Sequence, residues 1–339
     1  MPLNVRPHAL KKFVVALILL LAIIFVIGSF SELRQIGLVL QKANVFILVL
    51  AVMVEIGWIF VMGTSFQTLY GIVDIHKKLL PLTRMVAAVN FVNIVAPSAG
   101  VSGMAVIYTD ALKNVHSSAR VTVGSILYLL FDYFGLLSVI FIGLIILGFY
   151  NKLSFTDIVA YLLFLVFALA LGGLLYLASR SEVRLIRVVN FIVRHLNKLV
   201  KPFRKHEIVS EESAREFALE IVVGVNALKH VRFGWLRPLV LTLINKLLLV
   251  SILGIVFLAF KVPTSVAIVV AGFSIAYLFV IVSPTPAGVG IVEGVMTLGL
   301  KSLGIPLEAA VVVTMAYRAV TFWFPLFIGM VSFRTLHRV

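Results

Sequence analysis

Five ionisable residues lie inside long apolar stretches of this chain: Glu55, Asp132, Lys246, Glu293 and Arg318. Charge is expensive in such places unless it is paired or lines a watery path, so each is a functional candidate. A repeat orders their spacing. Ile94-Val95-Ala96-Pro97-Ser98-Ala99-Gly100-Val101-Ser102-Gly103 and Ile281-Val282-Ser283-Pro284-Thr285-Pro286-Ala287-Gly288-Val289-Gly290 both start Ile-Val-x-Pro-Ser/Thr, with a Gly six residues after the first Pro. The offset is 284 − 97 = 187 residues, and Gly103 and Gly290 keep it. Asp132 maps to 132 + 187 = 319, one residue from Arg318, and Glu55 maps to 55 + 187 = 242, one turn from Lys246. Equivalent helices thus carry an acid in the first half and a base in the second. Buried pairing of Asp132 with Arg318 is expected, and of Glu55 with Lys246 as a second pair. The plainer role for both is mutual neutralisation that fixes packing. Glu293 lies three residues after Gly290, in the first turn of the helix that follows the second break, where the helix dipole favours a carboxylate. The first half has Val106 there (293 − 187 = 106), so Glu293 breaks the symmetry. Its alternative role is simple stabilisation of a helix end.

The breaks offer chemistry of their own. Glycines permit close approach, and half-helix N-termini are partly positive and bind anionic groups, such as a lipid phosphate or pyrophosphate. Pro97, Gly100, Gly103, Pro284, Pro286, Gly288 and Gly290 shape these sites, and Arg84, Arg120 and Arg318 are nearby cations. Asn90, Asn93, Ser98 and Ser102 would line a polar path or hydrogen-bond between helices. Tyr277 and Ser283 stand where the first half has Asn90 and Ala96. The seven histidines form no metal-binding motif and there is no cysteine, so no metal site is expected. No phosphate-binding loop, dinucleotide fingerprint or nucleophile elbow is present, so neither a cofactor, a catalytic residue nor direct use of ATP is expected, and the chain is not expected to be an enzyme.

The elements that must hold these residues are membrane helices. Of the 339 residues 62% are hydrophobic and 13% charged, with a mean hydropathy of +1.15; soluble domains average about 25% charged. The net charge of +15 reads as basic cytoplasmic loops rather than as a nucleic-acid surface. Unbroken apolar stretches occupy 13–30, 45–66, 121–149, 157–178, 236–260 and 309–333, each near the ~20 residues that a spanning helix needs. The stretches 80–112 and 264–303 contain the breaks, each with a short helix on either side. Lys and Arg in the loops place both termini in the cytoplasm and bring the two broken segments in from opposite faces, as an inverted repeat requires. The segment 179–235 reads as a basic cytoplasmic insert. Leu185, Val188, Val189, Ile192, Leu196 and Leu199 at helical spacing among Arg and Lys make a helix that either lies on the anionic inner leaflet or packs on the bundle. Ser213-Ala214-Arg215-Glu216 has a capping-box pattern and starts a second short helix towards Leu228.

The second break, Pro284-Thr285-Pro286-Ala287-Gly288-Val289-Gly290-Ile291-Val292-Glu293, resembles the P-x-P-[GA]-G-[LV]-G-x-x-E signature of the lysylphosphatidylglycerol synthase transmembrane family, also called flippase-like domains. The first break, Pro97 to Gly103, resembles that family's earlier motif, and the likeness extends over about residues 10–335. The resemblance implies that Glu293 and the Pro/Gly turn around it belong to a lipid path. Ala287 is a mild departure at the second Gly position. No aminoacyl-transfer domain follows within the 339 residues, so a stand-alone member that does not itself make lysyl-lipid is expected.

The resulting expectation is an all-α polytopic membrane protein, an inverted repeat with two re-entrant hairpins. It is one membrane domain over 1–339, with repeat 1 at about 10–150, repeat 2 at about 155–335 and the insert at 179–235. The expected activity is movement of an anionic phospholipid or polyprenyl-linked saccharide head group between leaflets of the cell membrane. Membrane lipids are the expected partners, with a lipid-modifying enzyme as a further one and no nucleic acid. The competing readings are a membrane scaffold for a glycosyltransferase or lipid synthase, and a small-solute carrier.

Overall fold

Long apolar runs bounded by caps set the helices. The structure, a computed structural model, describes residues 30–95, 103, 106–107, 118–200, 210–227, 234–283, 285 and 288–337. Among them the regular elements are helices: α1 (Phe30–Leu40), α2 (Val45–Ile72), α3 (Leu79–Val95), α4 (Ser118–Phe149), α5 (Phe155–Arg180), α6 (Glu182–Val200), α7 (Glu211–Ala227), α8 (Leu236–Ala259), α9 (Val266–Val282), α10 (Ile291–Ser302), α11 (Leu307–Arg318) and α12 (Phe324–His337). A π-helical turn, Ala319–Trp323, joins the last two. Asn44 caps α2 by accepting from the N–H groups of Phe46 and Ile47 at 3.1 and 3.4 Å. Ser154 and Asp157 close a reciprocal capping box on α5, and Ser265 caps α9.

Among the described residues, five helices are long and apolar enough to cross a membrane: Val45–Ile72, Arg120–Phe149, Phe155–Arg180, Leu236–Ala259 and the α11–α12 rod, Leu307–Leu336. Their outward faces carry large apolar side chains, among them Phe60, Phe141, Leu163, Leu247 and Val331, as a lipid surrounding allows. These spans agree with the apolar stretches read from the sequence. The stretch 13–30 lies outside the described residues apart from Phe30.

The helices flanking the breaks are short. α3 and α9 have 17 residues each, about 25 Å, and α10 has 12, about 18 Å, against a hydrocarbon core of about 30 Å. The 187-residue offset reappears in the element bounds. α3 shifted by 187 becomes 266–282, the span of α9; α4 becomes 305–336, which is α11 to α12; and α2 becomes 232–259, which contains α8. Packing follows the same exchange: α3 lies on α12 as α9 lies on α4, and α1 lies on α11 as α7 lies on α4. The close approaches match too. A Cβ on Gly143 would sit 2.0 Å from Ser274 Oγ, and one on Gly329 would sit 2.5 Å from the Ala87 carbonyl oxygen, where 274 − 187 = 87 and 143 + 187 = 330. α2 and α8 form the central pair. The Asn44 N–H donates to the Ala259 carbonyl at 2.9 Å, so the start of one helix meets the end of the other and they run antiparallel.

The segment 179–235 differs from its expected character. α7 starts at Glu211 and packs on α4 and α5, burying Ala218, Ile221, Val222 and Val225. It is an integral part of the bundle, and its end (217–227) is the offset equivalent of α1, since 30 + 187 = 217 and 40 + 187 = 227. The extra elements between the equivalent spans are α5 and α6. α6 packs on α5 and α7 through Leu185, Val189 and Val193, so the packed alternative holds for that stripe, while Val183, Phe191 and Ile192 remain exposed.

Candidate functional site

The second break is built by its own small polar residues. After α9 ends, Ser283 is extended and its hydroxyl accepts from the Thr285 N–H at 3.2 Å. Thr285 Oγ1 lies 2.9 Å from Ser283 Oγ and donates to the Val289 carbonyl at 3.0 Å, folding the turn back on itself. Gly288 and Gly290 have φ of +75° and +81°, conformations that side chains disfavour. Gly290 caps α10 without a side-chain acceptor, which leaves the first N–H groups of that helix without a side-chain cap. Pro284 and Pro286 lie outside the described residues, as do Pro97, Ser98, Gly100 and Ser102 of the first break. There the described part is Asn93, whose Oδ1 accepts from the Gly103 N–H at 2.6 Å and so ties the end of α3 to the chain beyond it.

Glu293, in the first turn of α10, takes the Arg318 Nε–H on Oε1 at 2.5 Å. Both side chains are buried, at 6% and 7% exposure. Arg318 ends α11 just before the π-helical turn, and its guanidinium lies 4.1 Å from the Phe322 ring centroid. The π turn has a local cause. Pro325 has no N–H, and its ring would clash with the carbonyl of Thr321 in a regular helix. The Phe324 N–H reaches Ala319 O instead, five residues back. In a second pair, Lys246 of α8 is salt-bridged to Asp132 Oδ1 of α4, the lysine buried and the aspartate a quarter exposed.

These partners correct the sequence expectation, which paired Asp132 with Arg318 and Glu55 with Lys246. Of the helices that the offset relates, α2 and α8 do pack together, but Lys246 faces α4 across the α8–α4 contact, and Arg318 turns to α10, the neighbour that its own helix packs on. Glu55 is fully buried, and among the described residues neither of its carboxyl oxygens has a hydrogen-bond partner. Arg120 is also displaced from the site: it pairs with Asp74 at 3.1 Å on an exposed surface. Arg84 is exposed on α3, and Asn90 is half-buried on the same helix.

Sequence reasoning gave Tyr277 a minor place and missed Tyr317, Asn245 and Thr314. The Tyr277 and Tyr317 hydroxyls share a hydrogen bond, and the charges of Glu55, Arg318 and Asp132 all reach Tyr277. Asn245 and Thr314 are buried with side-chain polar atoms that have no partner among the described residues, as is Glu293 Oε2. The available signal was adjacency, since Asn245 and Tyr317 immediately precede Lys246 and Arg318.

A bundle of membrane-length helices with a buried ion pair at a glycine-built break and a second pair between two of its long helices defines a polytopic membrane protein with a charged interior. The chain belongs to the lysylphosphatidylglycerol synthase TM region family, whose profile matches residues 13–329. No curated protein and no solved structure matches it.

Proposed function

We propose that the protein is a flippase-like lipid transporter of the cell membrane, moving the head group of an anionic phospholipid or lipid-linked saccharide between leaflets. The observation that carries this reading is the Glu293–Arg318 pair, buried at the start of a short helix behind a Pro/Gly break. A buried pair is at best roughly neutral for stability compared with apolar packing, so retaining one points to work other than holding the fold. A phosphate is a good competitor for it. It can replace the carboxylate on Arg318 through charge-assisted hydrogen bonds, and the N–H groups of α10 that lack a side-chain cap supply further donors. Glu293 then acts as the gate that closes on Arg318 when no head group is present. Asp132 does the same for Lys246.

Head groups also need a place to arrive. A cavity of about 540 Å³ opens where α2 ends and α8 begins, and Gln67, His76, Lys77, Lys78 and Arg237 stand on its wall. That cationic rim suits an anionic head group at a leaflet surface. The loop charges put this end in the cytoplasm, with both termini. The matching element bounds and exchanged packing partners support an inverted repeat whose broken segments enter from opposite faces.

Reconstitution tests the reading. Purified protein in phosphatidylethanolamine–phosphatidylglycerol vesicles should expose fluorescent phosphatidylglycerol, or a fluorescent polyprenyl-phosphate sugar, to an impermeant quencher in the opposite leaflet. Arg318→Gln should slow this strongly. Absence of movement for every lipid class, with the protein folded, would overturn the proposal.

A further inference from the structure

Glu55 is an acid that the lipid path above leaves unused. It lies in the middle of α2 with no exposed surface and, among the described residues, no hydrogen-bond partner for either oxygen. The antiparallel register set by Asn44 and Ala259 brings it level with residue 248 of α8 (44 + 259 − 55 = 248), one turn from Asn245, whose amide atoms are likewise unpartnered. Trp58 Nε1, one turn along α2, is buried without a partner as well. The helices packed on α2 carry Lys246 and Asp132, which are occupied with each other, Tyr128 on α4, and Arg84, which is exposed. The π turn brings no titratable group. From α9 and α11, the Tyr277 and Tyr317 hydroxyls feel the Glu55 charge, and Tyr277 also feels Arg318 and Asp132.

A carboxylate that has lost both water and a partner is far costlier to bury than the neutral acid. The packed arrangement around Glu55 therefore suits the acid form, and an arrangement that admits water or frees Lys246 suits the ionised one. We propose that Glu55 is a proton-binding site through which a proton gradient drives the lipid movement, an inference that rests on the transport reading above. One proton joins the carboxylate from one side of the membrane and leaves to the other, with no other bond made or broken. The Tyr277 and Tyr317 hydroxyls are within electrostatic reach of Glu55, and Tyr277 also of Arg318, so a change of charge at Glu55 acts on a group that also senses Arg318.

The test uses the full chain in the same vesicles with a pH difference across them. With one proton moved per lipid, wild-type protein should drive an unequal leaflet distribution of fluorescent phosphatidylglycerol, up to about tenfold per pH unit at steady state. Glu55→Gln should still exchange lipid but reach an equal distribution whatever the gradient, and Glu55→Asp should retain part of the gradient response. Infrared difference spectra of wild type against Glu55→Gln should assign a protonated-carboxyl stretch to Glu55 in the lipid-free state. The proposal fails if wild-type movement ignores the gradient, if Glu55→Gln keeps the wild-type response, or if that stretch is absent. Wild-type protein that moves no lipid at all would instead remove the transport reading, and the coupling with it.

Discussion

The partner assignment of the buried charges can be measured as coupling free energies. Glu293→Gln keeps the shape of the side chain but removes the carboxylate paired with the Arg318 cation, which is 7% exposed. Breaking such a pair from one side costs about 3–5 kcal/mol. Arg318→Met removes the only hydrogen bond on Glu293 Oε1 beside an Oε2 that already has none, and it also forfeits the contact with Phe322, about 0.5–2 kcal/mol. Arg318→Met should therefore be the worse single change. The double variant removes both charges, so it should recover most of the loss and reveal a coupling of about 3 kcal/mol, roughly two decades in the unfolding equilibrium. The cross pair Asp132→Asn with Arg318→Met should couple far less, because each residue has its own partner on a different helix. Reversible unfolding in mixed detergent micelles, followed by circular dichroism, supplies the free energies. A Glu293–Arg318 coupling under about 0.5 kcal/mol, or an Asp132–Arg318 coupling that exceeds it, would refute the argument.

In the same assay Asp132→Asn should cost less than Glu293→Gln, since Asp132 is a quarter exposed and water screens part of its pair. Asn93→Ala should destabilise by about 1–3 kcal/mol by orphaning the Gly103 N–H, and protease should cut the first broken segment faster. Gly290→Ala should cost about 1–2 kcal/mol from backbone strain alone, as its Cβ would meet nothing; Gly288→Ala should cost more, its Cβ falling 2.3 Å from Val292 Cγ2. Gly329→Ala should impair folding, with a Cβ 2.5 Å from the Ala87 carbonyl oxygen, whereas Gly148→Ala, which meets nothing, should be neutral or mildly stabilising; expression and thermal melting separate the two.

Membrane class, the long spans and the second break were legible in the chain because each depends on local facts. Runs of apolar residues must become helices in lipid, where backbone groups have no other partner. Proline and paired glycines must interrupt them. The repeat was legible as an arithmetic offset, and the bounds of α3 and α9 keep it to the residue. The packed half of the supposed insert was not legible. α7 carries Glu211, Glu212, Arg215, Glu216 and Glu220, yet buries a narrow stripe on α4, and composition averages over faces that packing separates.

By itself the sequence determined which residues had to be explained: five ionisable groups in apolar helices, and an acid in the second break without a counterpart in the first. Tertiary structure decided their partners. Arg318 meets Glu293 rather than Asp132, Lys246 meets Asp132 rather than Glu55, and Glu55 meets no hydrogen-bond partner among the described residues. The reason is geometric. An offset names equivalent helices, but the rotation of each helix about its axis, at about 100° per residue, sets the neighbour that a side chain faces. A one-residue slip such as 319 against 318 is enough to turn a charge from one helix to the next.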